Sequence, residues 1–115
     1  MRLLRGCVMT LWVVAGLCAC GEQAAPAGGA AAAPADPKLA KLYGQTCKAC
    51  HTSPGSGAPQ SGDRAAWDPR MAQGMATLLD HTVNGYKGMP PLGSCMDCGE
   101  KDFEALIRFM SGQGS

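Results

Sequence analysis

The run Cys47-Lys48-Ala49-Cys50-His51 decides how the rest of this chain is read. It sets two thiols three positions apart and an imidazole directly after the second, the C-x-x-C-H spacing of covalent c-type haem attachment. Each part has a chemical reason. Two thiols at that spacing can add to the two vinyl groups of one haem and form two thioether bonds. The histidine that follows lies beneath the ring, where a neutral imidazole nitrogen can ligate the iron. A C-x-x-C pair alone would also suit half a zinc site or a thiol redox pair. Zinc would need two further ligands, and a redox pair has no need of His51, so the motif favours haem.

The composition agrees with a protein organised around a cofactor. The chain has 115 residues, room for one domain. Lys and Arg number 10 against 9 Asp and Glu, so no basic surplus points to nucleic acid. Two Trp, two Tyr and two Phe among 16 Gly would make a thin core for a domain this size. A buried haem supplies the missing apolar bulk. Seven cysteines point to an oxidising compartment.

Upstream of the motif, residues 1–19 read as the signal peptide of an exported lipoprotein. Arg2 and Arg5 give the positive start, and Val8 to Leu17 form an apolar run too short to span a bilayer. Leu17-Cys18-Ala19-Cys20 resembles a lipobox, which would make Cys20 the acylated first residue of the mature protein; the competing reading is an ordinary signal cut after Ala19. Residues 20–35 are then a lipid anchor and a flexible Ala/Gly/Pro linker, whose fifteen residues from Gly21 to Ala35 reach up to about 45 Å when extended.

Residues 36–115 form the expected folded domain. Asp36 is a helix N-cap and Pro37 suits the first helical position. Leu39, Leu42, Tyr43 and Cys47 recur at helical spacing, so this helix carries the first motif cysteine. Thr52 to Gly62 reads as an irregular loop and Asp63 to Trp67 as one short turn, with a boundary at Asp68-Pro69. Met71, Met75, Leu78, Leu79 and Thr82 predict one face of a helix that Asn84-Gly85 stops. Tyr86 to Gly99 reads as a loop. A last helix runs from about Glu100 to Ser111, with acids in its first turns and Phe103, Leu106, Ile107 and Met110 on one face.

With these pieces placed, the domain resembles a class I cytochrome c, and most closely the cytochrome c5 family. The likeness covers roughly residues 36 to 112 and rests on CKACH, GAPQSGDRAAWDPR, GMATLL, MPPLGSCMDC and a closing helix ending FM. It implies an all-α fold of three to four helices wrapped around one covalent haem c. Cys47 and Cys50 would carry the haem, with His51 and Met89 as axial iron ligands. Pro59 would accept the His51 ring N–H, Trp67 would line the pocket and Arg70 would hold a propionate. Cys95 and Cys98 would form the family's disulfide. Where the family has Gly eight residues before the first haem cysteine this chain has Leu39, while the aromatic of the haem pocket four residues before is kept as Tyr43. That departure implies a wider crossing of the terminal helices, with Phe109 opposite.

Among the other methionines, Met71, Met75 and Met110 fit helix faces and Met96 sits inside the cysteine loop, whereas Met89 precedes two stiffening prolines. His81 reads as a partly exposed helix residue. A haem closed by His and Met moves electrons and has no open position for substrate. The function implied is therefore a non-enzymatic electron carrier, tethered to a bacterial membrane by lipid and facing the periplasm. It would act as a monomer between redox partners such as an oxidase or other cytochromes. Two other readings stand beside it: a gas sensor or weak peroxidase with an open sixth position, and a thiol-redox protein using Cys95 and Cys98.

Overall fold

A helix begins where Asp36 can cap it: its Oδ1 accepts the Leu39 N–H at 2.9 Å, and Pro37 at the first position lacks an N–H that would otherwise go unpaired. The structure, a computed structural model, describes residues 33–114. The expected signal peptide, Cys20 and the linker up to residue 32 lie outside the described residues. Helix α1 (Pro37–Leu42) runs directly into a wide π turn (Tyr43–Cys47) and then into α2 (Lys48–His51). In the wide turn the Lys48 N–H reaches the Tyr43 carbonyl, and Thr46 Oγ1 donates to the Leu42 carbonyl at 2.7 Å. Such turns are rare and shift the phase of a helix. Here the shift falls between the core face of Leu42 and Tyr43 and the segment that carries Cys47, Cys50 and His51.

Helix α3 (Arg64–Met71), capped by Asp63, does not stop at the expected Asp68-Pro69 boundary but runs through Pro69. The restriction before proline is a bias, and in so short a helix it removes one bond, to the carbonyl of Ala65. Ala65 is exposed, so water can donate to that carbonyl in place of the missing N–H. The predicted stripe from Met71 to Thr82 is likewise divided: Met71 ends α3, the chain turns through Ala72 to Gly74, and α4 spans Met75–Asn84. Both pieces nonetheless meet the same core, with Leu78 and Thr82 buried and Met71, Met75 and Leu79 packed around them. A 3-10 turn at Pro54–Ser56 and a turn at Pro91–Ser94 complete the loops.

Helix α5 (Glu100–Met110) buries Phe103, Leu106, Ile107 and Met110, and Ser111 serves as its C-cap. These side chains close the core with Leu42, Tyr43, Trp67, Leu78 and Cys95. Where α1 meets α5, the rings of Tyr43 and Phe109 pack in a T-shaped pair, with centroids 5.0 Å apart and planes at 76°. Leu39 lies half-buried there, and a groove of about 230 Å³ lined by Leu39, Ala105 and Phe109 stays open beside the crossing. Among the described residues the elements are helical, with one isolated bridge between Tyr86 and Met89 and no helix long and apolar enough to cross a membrane.

Candidate haem site

His51 ends α2 buried, at 6% exposure, and every residue of the segment Pro59-Gln60-Ser61 helps to hold it or its neighbours. The Pro59 carbonyl lies 2.8 Å from His51 Nδ1. A carbonyl can only accept, so Nδ1 carries the proton and Nε2 is left with the lone pair. The Gln60 carbonyl accepts from Trp67 Nε1 at 2.9 Å, and the Trp67 ring lies nearly parallel to the imidazole, centroids 5.8 Å apart. The Ser61 N–H donates to the His51 carbonyl at 2.6 Å, while the Tyr43 hydroxyl donates to Ser61 Oγ at 2.9 Å. Burial pushes the His51 pKa down, opposed by the bond to Pro59 and aided by the nearby Arg70 cation. The ring is thus kept neutral, with one nitrogen ready to ligate.

Cys47 and Cys50 are free thiols, Cys47 half-buried and Cys50 exposed. In the same molecule Cys95 and Cys98 are joined as a disulfide, with Cys95 only 2% exposed. Burial raises the Cys47 pKa, with the Thr46 hydroxyl 3.3 Å away working against it and Cys50 adding to it.

Met89 sits in a loop folded back on itself. Its N–H donates to the Tyr86 carbonyl at 2.9 Å, and its carbonyl accepts the Tyr86 N–H at 3.1 Å. Gly85, at φ 83°, passes so close beneath that an added Cβ would lie 3.0 Å from the Met89 carbonyl oxygen and from Pro91 N. On the other side, a Cβ on Gly93 would lie 3.0 Å from Met89 Cε. The Met89 backbone is thus wedged against Gly85, and its methyl end rests against Gly93. The turn at Pro91–Ser94 packs against the π turn that ends in Cys47, which brings the Met89 loop to the helix carrying the thiols. Arg70 is half-buried, its guanidinium turned back to the Ala66 carbonyl of its own helix.

The donor set fits a haem c: two reduced thiols on one helix, a neutral buried imidazole with its lone pair on Nε2, and a thioether held in a glycine-lined loop. Sequence reading overlooked Gln60, Ser61, Gly85 and Gly93. The first two lie in an irregular loop with no periodicity to mark them. The glycines were legible as turn residues but not as walls of the methionine cradle.

The family described as "Cytochrome C oxidase, cbb3-type, subunit III" matches residues 34–110. The chain is 41% identical over 91 residues to cytochrome c5 of Ectopseudomonas mendocina, an alignment covering 77% of this chain and 99% of that one. It is 40% identical over 75 residues to cytochrome c-555 of Chlorobaculum tepidum, covering 62% and 69% of the two. A chain in the crystal structure of an electron transfer complex of nitrite reductase with cytochrome c superposes with a TM-score of 0.60 at 36% identity, covering 70% of this chain and 98% of that one.

Proposed function

This chain belongs to the class I c-type cytochromes, within the cytochrome c5 family, and from that premise we propose that it is a membrane-tethered carrier of single electrons in the bacterial cell envelope. It is a small electron-transfer protein with one covalent haem c. In the proposed site Cys47 and Cys50 hold the haem and His51 and Met89 bind its iron. Tyr43, Pro59, Trp67 and Arg70 surround it. Haem c, when bound, supplies a one-electron iron couple whose potential a methionine ligand raises.

The observation that carries the proposal is the state of His51. The Pro59 carbonyl accepts a hydrogen bond from the Nδ1–H and burial disfavours the cation, so Nε2 presents a fixed lone pair. Trp67 and the Pro59–Ser61 segment keep that pose and exclude water from the buried side of the ring. Met89, whose backbone packs against Gly85 and whose methyl end rests against Gly93, would supply the second iron ligand, and a haem so ligated would serve a carrier rather than a sensor or peroxidase. Thiol chemistry at Cys95 and Cys98 is disfavoured by the burial of Cys95, and the pair acts as a structural bridge after the Met89 loop.

The tether rests on the sequence of the first 35 residues: a signal peptide over 1–19, an acylated Cys20, and a linker leading to a domain over 36–115 that faces the periplasm. The proposed partners are redox proteins of respiration, such as an oxidase or another cytochrome, met by a monomer. The resemblance to a cytochrome c in complex with nitrite reductase supports protein partners of this kind.

A redox titration followed by visible absorption, on the parent and on Met89→Ala, tests the site. The parent should show one haem that stays with the protein through acid organic extraction, a single one-electron wave and slow carbon monoxide binding. Met89→Ala should have a lower midpoint and bind carbon monoxide quickly. Haem that extracts freely from the parent, or rapid carbon monoxide binding to it, would overturn the assignment.

A further inference from the structure

The Met89 loop is built from backbone conformations that need holding. Lys87, Leu92 and Ser94 all have positive φ, at 53°, 59° and 64°, where side chains of ordinary L-residues are disfavoured. Such a segment keeps its shape only if its surroundings fix it. Its far end is fixed covalently: the Cys95 N–H bonds to the Leu92 carbonyl at 2.9 Å, and the Cys95–Cys98 disulfide follows.

The near end is fixed by a different device. Tyr86 is joined to Met89 by two backbone hydrogen bonds, so wherever Tyr86 sits, Met89 follows. The Tyr86 ring in turn stacks on the His81 imidazole, centroids 3.9 Å apart and planes at 14°, and the Lys87 ammonium lies 5.3 Å from the centre of the same ring. His81 stands on α4, whose Leu78 and Thr82 are anchored in the core. A line of contacts therefore runs from a rigid helix through two stacked rings to the backbone of the methionine.

We propose that His81 is a positioning residue for the iron site, which holds the Met89 hairpin in its ligating pose through the stack on Tyr86. The proposal rests on the assignment of Met89 as iron ligand. His81 neither touches the iron nor supplies a proton; its part is to keep a flat surface against Tyr86. A phenyl ring at position 81 can do the same, while alanine cannot. Because a thioether is a weak ligand, loss of the stack shows first as more frequent opening of the methionine–iron bond.

The test uses the holoprotein and three readouts: midpoint potential, the far-red band of the ferric methionine-ligated haem, and the rate of carbon monoxide binding to the ferrous protein. His81→Ala should speed carbon monoxide binding about three- to tenfold, the range an aromatic pair supports, with a lower midpoint and a weaker far-red band. His81→Phe should restore all three. Tyr86→Ala should be at least as severe as His81→Ala, since it also removes the Lys87 contact, and the double variant should be no worse than Tyr86→Ala, because the stack is already lost there. A His81→Ala protein with parental midpoint and carbon monoxide rate, when Met89→Ala changes both, overturns the positioning role alone. Failure of His81→Phe to restore them also overturns it. If Met89→Ala itself changes neither readout, the ligand assignment falls and this inference with it.

Discussion

Gly85 and Gly88 stand three positions apart, and alanine should be costly at the first and nearly neutral at the second. At Gly85 the backbone has φ 83°, and a Cβ would meet the Met89 carbonyl and Pro91 N at 3.0 Å, both of them backbone atoms with nowhere to go. Gly85→Ala should cost at least about 2 kcal/mol in thermal or denaturant unfolding and disturb the far-red haem band. At Gly88 nothing lies within 4 Å, so Gly88→Ala should stay within about 0.5 kcal/mol of the parent. Tyr43 offers a third comparison at this scale. Its hydroxyl is the partner of the buried Ser61 Oγ, whose N–H in turn holds the His51 carbonyl. Tyr43→Phe should lose about 1–3 kcal/mol of stability by leaving that serine oxygen unpaired, with haem attachment retained. A variant as stable as the parent would show that water replaces the lost bond.

The helices show what a sequence can disclose and where it stops. The start of α1 at Asp36-Pro37 and the buried face of α5 were legible, because capping and 3.6-residue periodicity are local properties written into neighbouring residues. The motif CKACH likewise announces its cofactor on its own. Pro69 misled because its rule concerns a single bond, and the exposed position of Ala65 makes that loss cheap. The stripe from Met71 to Thr82 has correct periodicity across a break, since two helices can pack on one core in nearly continuous phase. The cradle of Met89 and the grip of Pro59-Gln60-Ser61 on His51 are contacts between distant segments, and no local pattern encodes them. The link between α1 and α5 is of that distant kind too. Lys38 Nζ contacts both Asp102 oxygens, at 2.7 and 2.9 Å, and Asp102 also accepts the Gly99 N–H that opens α5. The ammonium of Lys38, then the Gly99 N–H, hold the Asp102 carboxyl below its ordinary 3.8. A carboxyl with a folded-state pKa below its unfolded one stabilises the fold above the unfolded value and loses that contribution as pH falls through the folded value. Asp102→Asn should therefore lower Tm at neutral pH, and the gap to the parent should close in acid, below about 3.8. A gap that persists unchanged in strong acid would assign the loss to packing instead of charge.

At the scale of the whole domain, ion pairing decides where charge remains available. From residue 36 onward there are eight basic and eight acidic residues, a zero sum that by itself predicts no steering. The pairs are placed unevenly, however. Lys38 pairs with Asp102 and Arg108 with Glu104 at 2.8 Å, so two of the three acids of α5 are answered, and Arg64 approaches Asp68 within α3. Lys48, exposed on α2 between the two motif cysteines, and Lys87, at the tip of the Met89 hairpin, make no ion pair among the described residues; neither do Lys41, Arg70 and Lys101, but these stand on neither the motif nor the methionine loop. Lys87 is held over the Tyr86 ring, which keeps its charge beside the methionine loop. These two cations border the region where the proposed haem would meet a partner, and they suit a partner whose contact surface is acidic. Charge at such a rim changes the encounter rate far more than the bound geometry, and its reach shrinks to a Debye length of about 8 Å at physiological ionic strength. The double variant Lys48→Glu/Lys87→Glu should therefore slow electron transfer to a physiological oxidant about two- to tenfold at low salt. The loss should narrow as salt is added, and the midpoint potential should stay close to the parental value. Stopped-flow oxidation at several ionic strengths measures this directly. A rate indifferent to both the substitutions and the salt would leave apolar contact around the haem edge as the whole of the recognition.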